Sequence, residues 1–315
     1  MTTPGPAGRP GQPGWPALPY EVWRPTCDTI HAHTQVLGKL AAALAPAEPQ
    51  LQHAALRLTA RGWETLPLPA PTGGALVVAL DLHAHEAVVE HSGGRRRRVA
   101  LTPNRPVGPV TREVLRAVRE LIGPVPFNPA PQETSWSVPL DDDEVHATYD
   151  TEQVGTYLAA ATSAARVLAE LRAPYRGRST PVNAWWGSFD LAVSLFSGRA
   201  AAPPGGAFIM RNAMDAQEVA VGWWPGDQRH PRAAFYAYAH PAPPGYDQGR
   251  LEPEAAHWDA ELGEYILEWD DVRGATDPHR AALAFARSAA RHACRVCEWD
   301  PALARSLDGT PAPVS

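Results

Sequence analysis

The sequence predicts an α+β fold made of two pseudo-repeated halves packed as one compact unit. Two observations carry this. Segments with apolar residues at helical spacing stand beside short segments that alternate apolar and polar residues. The order helix, antiparallel strands, closing helix also occurs twice along the chain.

In the first half, residues 26–44 place Ile30, Leu37, Ala41 and Leu44 on one helical stripe, with Pro25 at an early helical position. Residues 56–64 read as a strand, closed off by Pro67 and Pro69. Residues 75–83 and 87–91 are further strands, and 96–101 pairs back across the Gly93-Gly94 turn. Residues 111–122 form an amphipathic helix that Gly123 and Pro124 stop. The second half repeats the plan. A helix is expected over 151–171, a long strand over 183–196, and strands over 218–224, 234–240 and 264–269. A closing helix follows over 278–297. In both halves a proline leads into a strand ending at a glycine, Pro49 to Gly62 and Pro181 to Gly198, which suggests an internal duplication. The expected organisation is a disordered tail over 1–14, an N-terminal half over 15–123 and a Pro-rich, then acidic connector over 124–145. A C-terminal half over 146–303 and a second disordered tail over 304–315 complete it.

Composition narrows the function. With 44% hydrophobic and 20% charged residues, 315 residues can bury a sizeable core. A net charge of −6 argues against nucleic-acid binding, and the Arg95–Arg98 run reads as solvated charge at a hairpin. No apolar run spans a bilayer and no secretory signal opens the chain, so a cytoplasmic protein without a membrane partner is expected. Three cysteines make no disulfide framework, and Cys294-x-x-Cys297 reads as two small residues on one helix. Residue usage is that of a GC-rich bacterium, rich in Ala, Pro, Gly and Arg. Lys39 is the only lysine, and every other one of the 28 Lys and Arg residues is arginine. A lysine kept under that pressure marks a place where a compact ammonium differs from a planar guanidinium.

The chemistry-bearing residues fall in three groups. His31, Gln35 and Lys39 stand four apart, above one another on the first helix. Trp186, Ser188 and Asp190 alternate onto one face of the strand over 183–196, with Arg199 just beyond. Trp224, Tyr236, Tyr238 and Glu264 lie on neighbouring strands. Asp81, His83 and His85 form an Asp-x-His-x-His run, a weak candidate for metal ligation.

Together these residues resemble an uncharacterised bacterial family, domain of unknown function 5996. The resemblance extends over roughly residues 15–300. It rests on His31-x-x-Thr34-Gln35-x-x-Gly38-Lys39, on Thr59-x-Arg61-Gly62, on His146-x-x-Tyr149-Asp150 and above all on Trp186-Gly187-Ser188-Phe189-Asp190 through Ser197-Gly198-Arg199. It implies that His31, Gln35, Lys39, Asp190, Arg199 and Glu264 belong to a shared pattern. This chain departs from that pattern at Arg178, Asn183 and Leu195, where lysine, histidine and arginine are usual.

The expected function is a protein that binds a small polar or anionic molecule in an aromatic-lined cleft between the halves. Trp186, Ser188, Trp224, Tyr236 and Tyr238 would enclose the ligand, with Gln35 beside them. Asp190 or Glu264 would act as general base, Lys39 and Arg199 would hold a negative group, and His31 would exchange a proton. One alternative is a non-catalytic interaction module with an exposed Trp/Tyr patch. A weaker one is a metal-dependent hydrolase using Asp81, His83 and His85. The sequence fixes neither a cofactor nor an oligomeric state.

Overall fold

The computed structural model describes residues 14–205 and 208–309. Its first helix, α1 (Tyr20–Leu44), starts before Pro25. A proline at the sixth position removes only the bond to the Glu21 carbonyl, and the buried Tyr20 and Trp23 anchor the added turn. The first sheet has strands β1 (Arg57–Thr59), β2 (Gly62–Glu64), β3 (Leu68–Pro69), β4 (Ala75–Asp81), β5 (Glu86–His91) and β6 (Arg96–Ala100). They run in the order β1-β2-β4-β5-β6, with β3 paired to β4. The single strand expected over 56–64 is therefore a hairpin. Thr59 Oγ1 donates to the Gly62 carbonyl at 3.1 Å, and Gly62 turns the chain at a φ of 138°.

Two helices follow, α2 (Val107–Ile122) and α3 (Thr151–Arg172). Gly123 ends α2 at a φ of 87°, and the Asp150 carboxylate caps α3 through the Glu152 and Gln153 amides. The connector between them is held at defined points. Asp143 is fully buried, accepts from the Val145 and His146 amides and binds the His146 ring at 2.7 Å. Its own carbonyl accepts the Gly108 amide at 2.7 Å, which satisfies an open N–H of α2.

The second sheet has strands β7 (Asn183–Trp185), β8 (Asp190–Ala200), β9 (Ala216–Trp224), β10 (Ala234–His240), β11 (His257–Asp259) and β12 (Glu264–Glu268). All pairs are antiparallel, in the order β11-β12-β10-β9-β8-β7. The strand expected over 183–196 is again a hairpin, folded at Trp186–Phe189 with Phe189 at a φ of 58°. Apolar alternation hides that turn because Phe189 still enters the core, stacked on Trp63 and Tyr157. Around this sheet lie α4 (Phe208–Ala213), α5 (Trp269–Gly274), α6 (Pro278–Val296) and α7 (Pro301–Ser306). Cys294 is buried within α6, and Cys297 caps its end.

The two sheets meet where Leu56 and Ala184 exchange both backbone hydrogen bonds, at 3.0 and 2.9 Å. From this rung each sheet runs outward as a meander, through β2, β4 and β5 to β6 and through β8, β9 and β10 to β12. The large core holds Trp23, Leu37 and Leu40 of α1, Tyr157 and Leu168 of α3, Phe285 of α6 and the inward side chains of both sheets. A separate small cluster of Ala192, Trp224, Ala234, Tyr236 and Ile266 lies on the opposite, outer face of the second sheet.

Candidate functional site

The outer face of the second sheet gathers one group of the expected residues. Pairing sets Ala192 beside Gly222 and Gly222 beside Tyr236. Gly222 has no side chain, and the Tyr236 ring occupies that space. A Cβ on Gly222 would come within 2.3 Å of the ring. The phenol thus reaches across β9 and donates to one oxygen of Asp190, while Ser188 donates to the other. Tyr238 stacks parallel to Tyr236 at 6.2 Å, and Trp224 meets Tyr236 edge-on at 5.3 Å. Trp224 and Tyr236 are each only 8% exposed and Tyr238 is half-buried, so these rings form no open aromatic patch.

Four carboxyl groups share this region. Burial raises Asp190 to about 6, and the hydroxyls of Ser188 and Tyr236 only partly offset it. Glu264, at the start of β12, rises to about 7 through burial and then through the charge of Asp190. Glu133, from the connector, also rises to about 7 for the same two reasons. Glu133 is exposed as a residue, but its carboxylate lies against Gly187 and near Ile209, where a Cβ on Gly187 would meet it at 2.4 Å. Among the described residues, neither the Glu133 nor the Glu264 carboxyl makes a hydrogen bond or ion pair. Glu218, buried on β9, rises to about 7 by burial, offset in part by a Ser194 hydrogen bond. The exposed Arg229, paired with Asp227 at 3.0 Å, only modestly lowers Glu133 and Glu264.

The α1 residues stand elsewhere, against the inner side of the β7–β8 turn. His31 Nε2 lies 3.0 and 2.9 Å from the carbonyls of Trp186 and Gly187, and since both can only accept, that nitrogen carries the proton. Burial lowers the His31 ring to about 4. The Gln35 amide pairs with the backbone of Gln132, donating to its carbonyl at 2.7 Å and accepting its N–H at 3.0 Å. These two side chains thus fix the turn below Ser188 and the connector next to Glu133. Trp186 faces inward, contrary to the alternation expected for an unbroken strand. It packs on Gly38, and its indole N–H donates to the Ala54 carbonyl at 3.1 Å. Lys39 Nζ lies 5.5 Å from the Trp186 ring. Burial alone lowers its amine to about 8, and neither Lys39 nor Asp190 enters the other's shift.

Arg199 does not reach Asp190. The two sit nine residues apart on β8, roughly 25–30 Å along an extended strand, and Arg199 bonds the Glu298 carbonyl at 3.3 Å. Asp81, His83 and His85 do not share a strand face, because β4 ends at Asp81 and the other two lie in the turn. Asp81 accepts the His83 and Ala84 amides, His83 reaches the Ala60 carbonyl, and His85 meets the Tyr149 hydroxyl. Among the described residues no group of three or more His, Cys, Asp or Glu side chains could hold a metal ion. The arginines of the 95–98 run are paired rather than free, Arg96 with Glu90, Arg97 with Glu120 and Arg98 with Glu86.

A family model matches residues 15–306, nearly the whole described chain. The chain belongs to the family of unknown function DUF5996. No curated protein and no solved structure matches it. Arg178, Asn183 and Leu195 each have a defined place in this structure. Arg178 donates to Gln50 at 2.8 Å and stacks on Phe196, Asn183 bridges Arg57 and Gln52, and Leu195 is fully buried. Among the described residues, no helix is long and apolar enough to cross a membrane. Sequence reasoning missed Glu133, which sits in a Pro-rich connector without periodicity, and Glu218, which looked like an ordinary strand end. For Glu133 the available signal was Gln35, whose partner turned out to be the adjacent residue.

Proposed function

We propose that the outer face of the second sheet binds a small molecule carrying a positive charge, with Asp190 as its proton-exchanging centre. One observation carries this. Asp190, Glu133 and Glu264 crowd together with aromatic rings, and among the described residues no lysine or arginine ion-pairs with any of them, Arg229 acting on Glu133 and Glu264 only at a distance. Buried carboxyls without counter-charge repel one another, so a cationic ligand gains affinity by restoring their ionised forms. Trp224, Tyr236 and Tyr238 supply ring faces of the kind that favour ammonium, guanidinium or quaternary ammonium groups. The sign is opposite to an anion site, since Lys39 and Arg199 stand away from these carboxyls. With Asp190 held near 6 and its neighbours near 7, a proton can move between ligand and protein at neutral pH.

Isothermal calorimetry at pH 8 tests this with small amines, guanidines and quaternary ammonium ions against carboxylic acids of similar size. Saturable binding of at least one cation is expected, weakened about tenfold or more by Asp190→Asn, a loss of about 1.4 kcal/mol. Preference for the acids, or cation binding that ignores Asp190→Asn, would overturn the proposal.

A further inference from the structure

Helix α1 carries two buried histidines, and only one of them is tied down. His31 is held by the carbonyls of Trp186 and Gly187. His33, two positions on and about 200° around the helix, is 3% exposed. Among the described residues it makes no hydrogen bond or ion pair. A second orphan stands on α2. Thr111 is fully buried, and among the described residues its hydroxyl has no hydrogen-bond partner. Buried polar groups in native interiors are rarely left without one. Both residues line one small cavity of about 10 Å³, where α1, α2, β4 and β5 meet. Its other walls are apolar: Val36, Leu37, Leu80, Ala87, Val110 and Val114.

We propose that this cavity is a binding site for one structural water molecule, which bridges the His33 imidazole and the Thr111 hydroxyl and so joins α1 to α2. Size selects the occupant. One water needs roughly 10–15 Å³, whereas a pocket for an organic ligand starts near roughly 300 Å³. Charge agrees, because the lining contains no carboxylate that could hold a cation. The hydrogen-bonding groups are complementary as well. Burial pushes His33 down to about 4, so at neutral pH its ring offers one N–H and one lone pair. The threonine hydroxyl can likewise donate or accept. A water can therefore accept from one side chain and donate to the other. A cavity with apolar walls alone stays dry, and the two orphan groups set this one apart. The site is remote from the carboxyl face in both sheet and helix, so it stands or falls independently of the function proposed above.

Thr111→Val tests this, because a wet and a dry cavity give opposite signs. Valine keeps the outline of threonine and removes only the hydroxyl's hydrogen bonding. With a water bound, the variant strands that water, and Tm should fall by on the order of 2 °C. In a dry cavity the same change removes an unpaired buried hydroxyl, and Tm should rise. Oxygen-17 magnetic relaxation dispersion of the full-length protein counts its long-lived internal waters. Thr111→Val should hold one fewer than wild type, while Thr111→Ser, which keeps the hydroxyl, should retain it. A high-resolution crystal structure should show the water within about 3.2 Å of Thr111 Oγ1 and of a His33 ring nitrogen. A higher Tm for Thr111→Val, or an unchanged count of internal waters in that variant, would overturn the proposal.

Discussion

On the outer face of the first sheet, Glu90 binds Arg61 and Arg96, Glu64 binds Arg61, and Glu86 binds Arg98. On the outer face of the second, Asp190 accepts from the Ser188 and Tyr236 hydroxyls, and the Glu264 side chain has no partner among the described residues. Both faces come from antiparallel meanders of similar order, so topology does not explain the contrast. The side chains do. The first face places arginine directly across from glutamate, as in the Glu90–Arg96 pair. The second places glycine, alanine and tyrosine there. One face spends its charges on itself, while the other holds carboxyls whose protonation is still open to change.

The contrast can be broken most forcefully at Gly222. Replacing it by alanine puts a methyl group into the Tyr236 ring, at an overpacking cost of about 1–3 kcal/mol. Chemical denaturation should show that loss, together with at least tenfold weaker cation binding. A neutral or stabilising result, as expected for alanine in an unobstructed strand, would mean the tyrosine is not seated as described.

A smaller effect is expected from Glu264→Gln. Its carboxyl has a folded value near 7 against an ordinary 4.5, so between those values the folded state holds a proton that the unfolded state has lost. Stability from this group therefore falls as pH rises through that window. His31 and His33, pushed down to about 4, act in the opposite direction below about 6.5, so the variant must be read as a difference from wild type. At pH 8 Glu264→Gln should raise Tm by on the order of 2 °C, and the gain should vanish by pH 4.5. A Tm difference that ignores pH would place Glu264 in water. The smallest effect belongs to the first sheet. Glu90→Gln should cost about 1 kcal/mol or less and cost less still in high salt, since both arginines remain partly exposed.

Much of the second sheet was legible in the sequence. Strict alternation in Phe235-Tyr236-Ala237-Tyr238 correctly put both tyrosines on one face, and Glu264 and Trp224 joined them on adjoining strands. Alternation failed between Asn183 and Phe196 because a turn residue, Phe189, packs into the core as a strand residue would. That hidden turn reversed Trp186 and detached Asp190 from it. Helical spacing rightly aligned His31, Gln35 and Lys39, but spacing says nothing about what a side chain meets. His31 and Gln35 met backbone groups more than ninety positions away. Neither contact has a local signature, and Glu133 was lost with them.

Those two contacts also bear on whether the chain can be divided. The turn that carries Ser188, and the connector that carries Glu133, are held by α1, far away in the chain. A fragment starting at residue 146 would keep Asp190, Tyr236 and Gly222 but would lack both of those supports. The carboxyl face therefore depends on α1 and the connector as well as on the second sheet, and that sheet could not be engineered alone without giving it up.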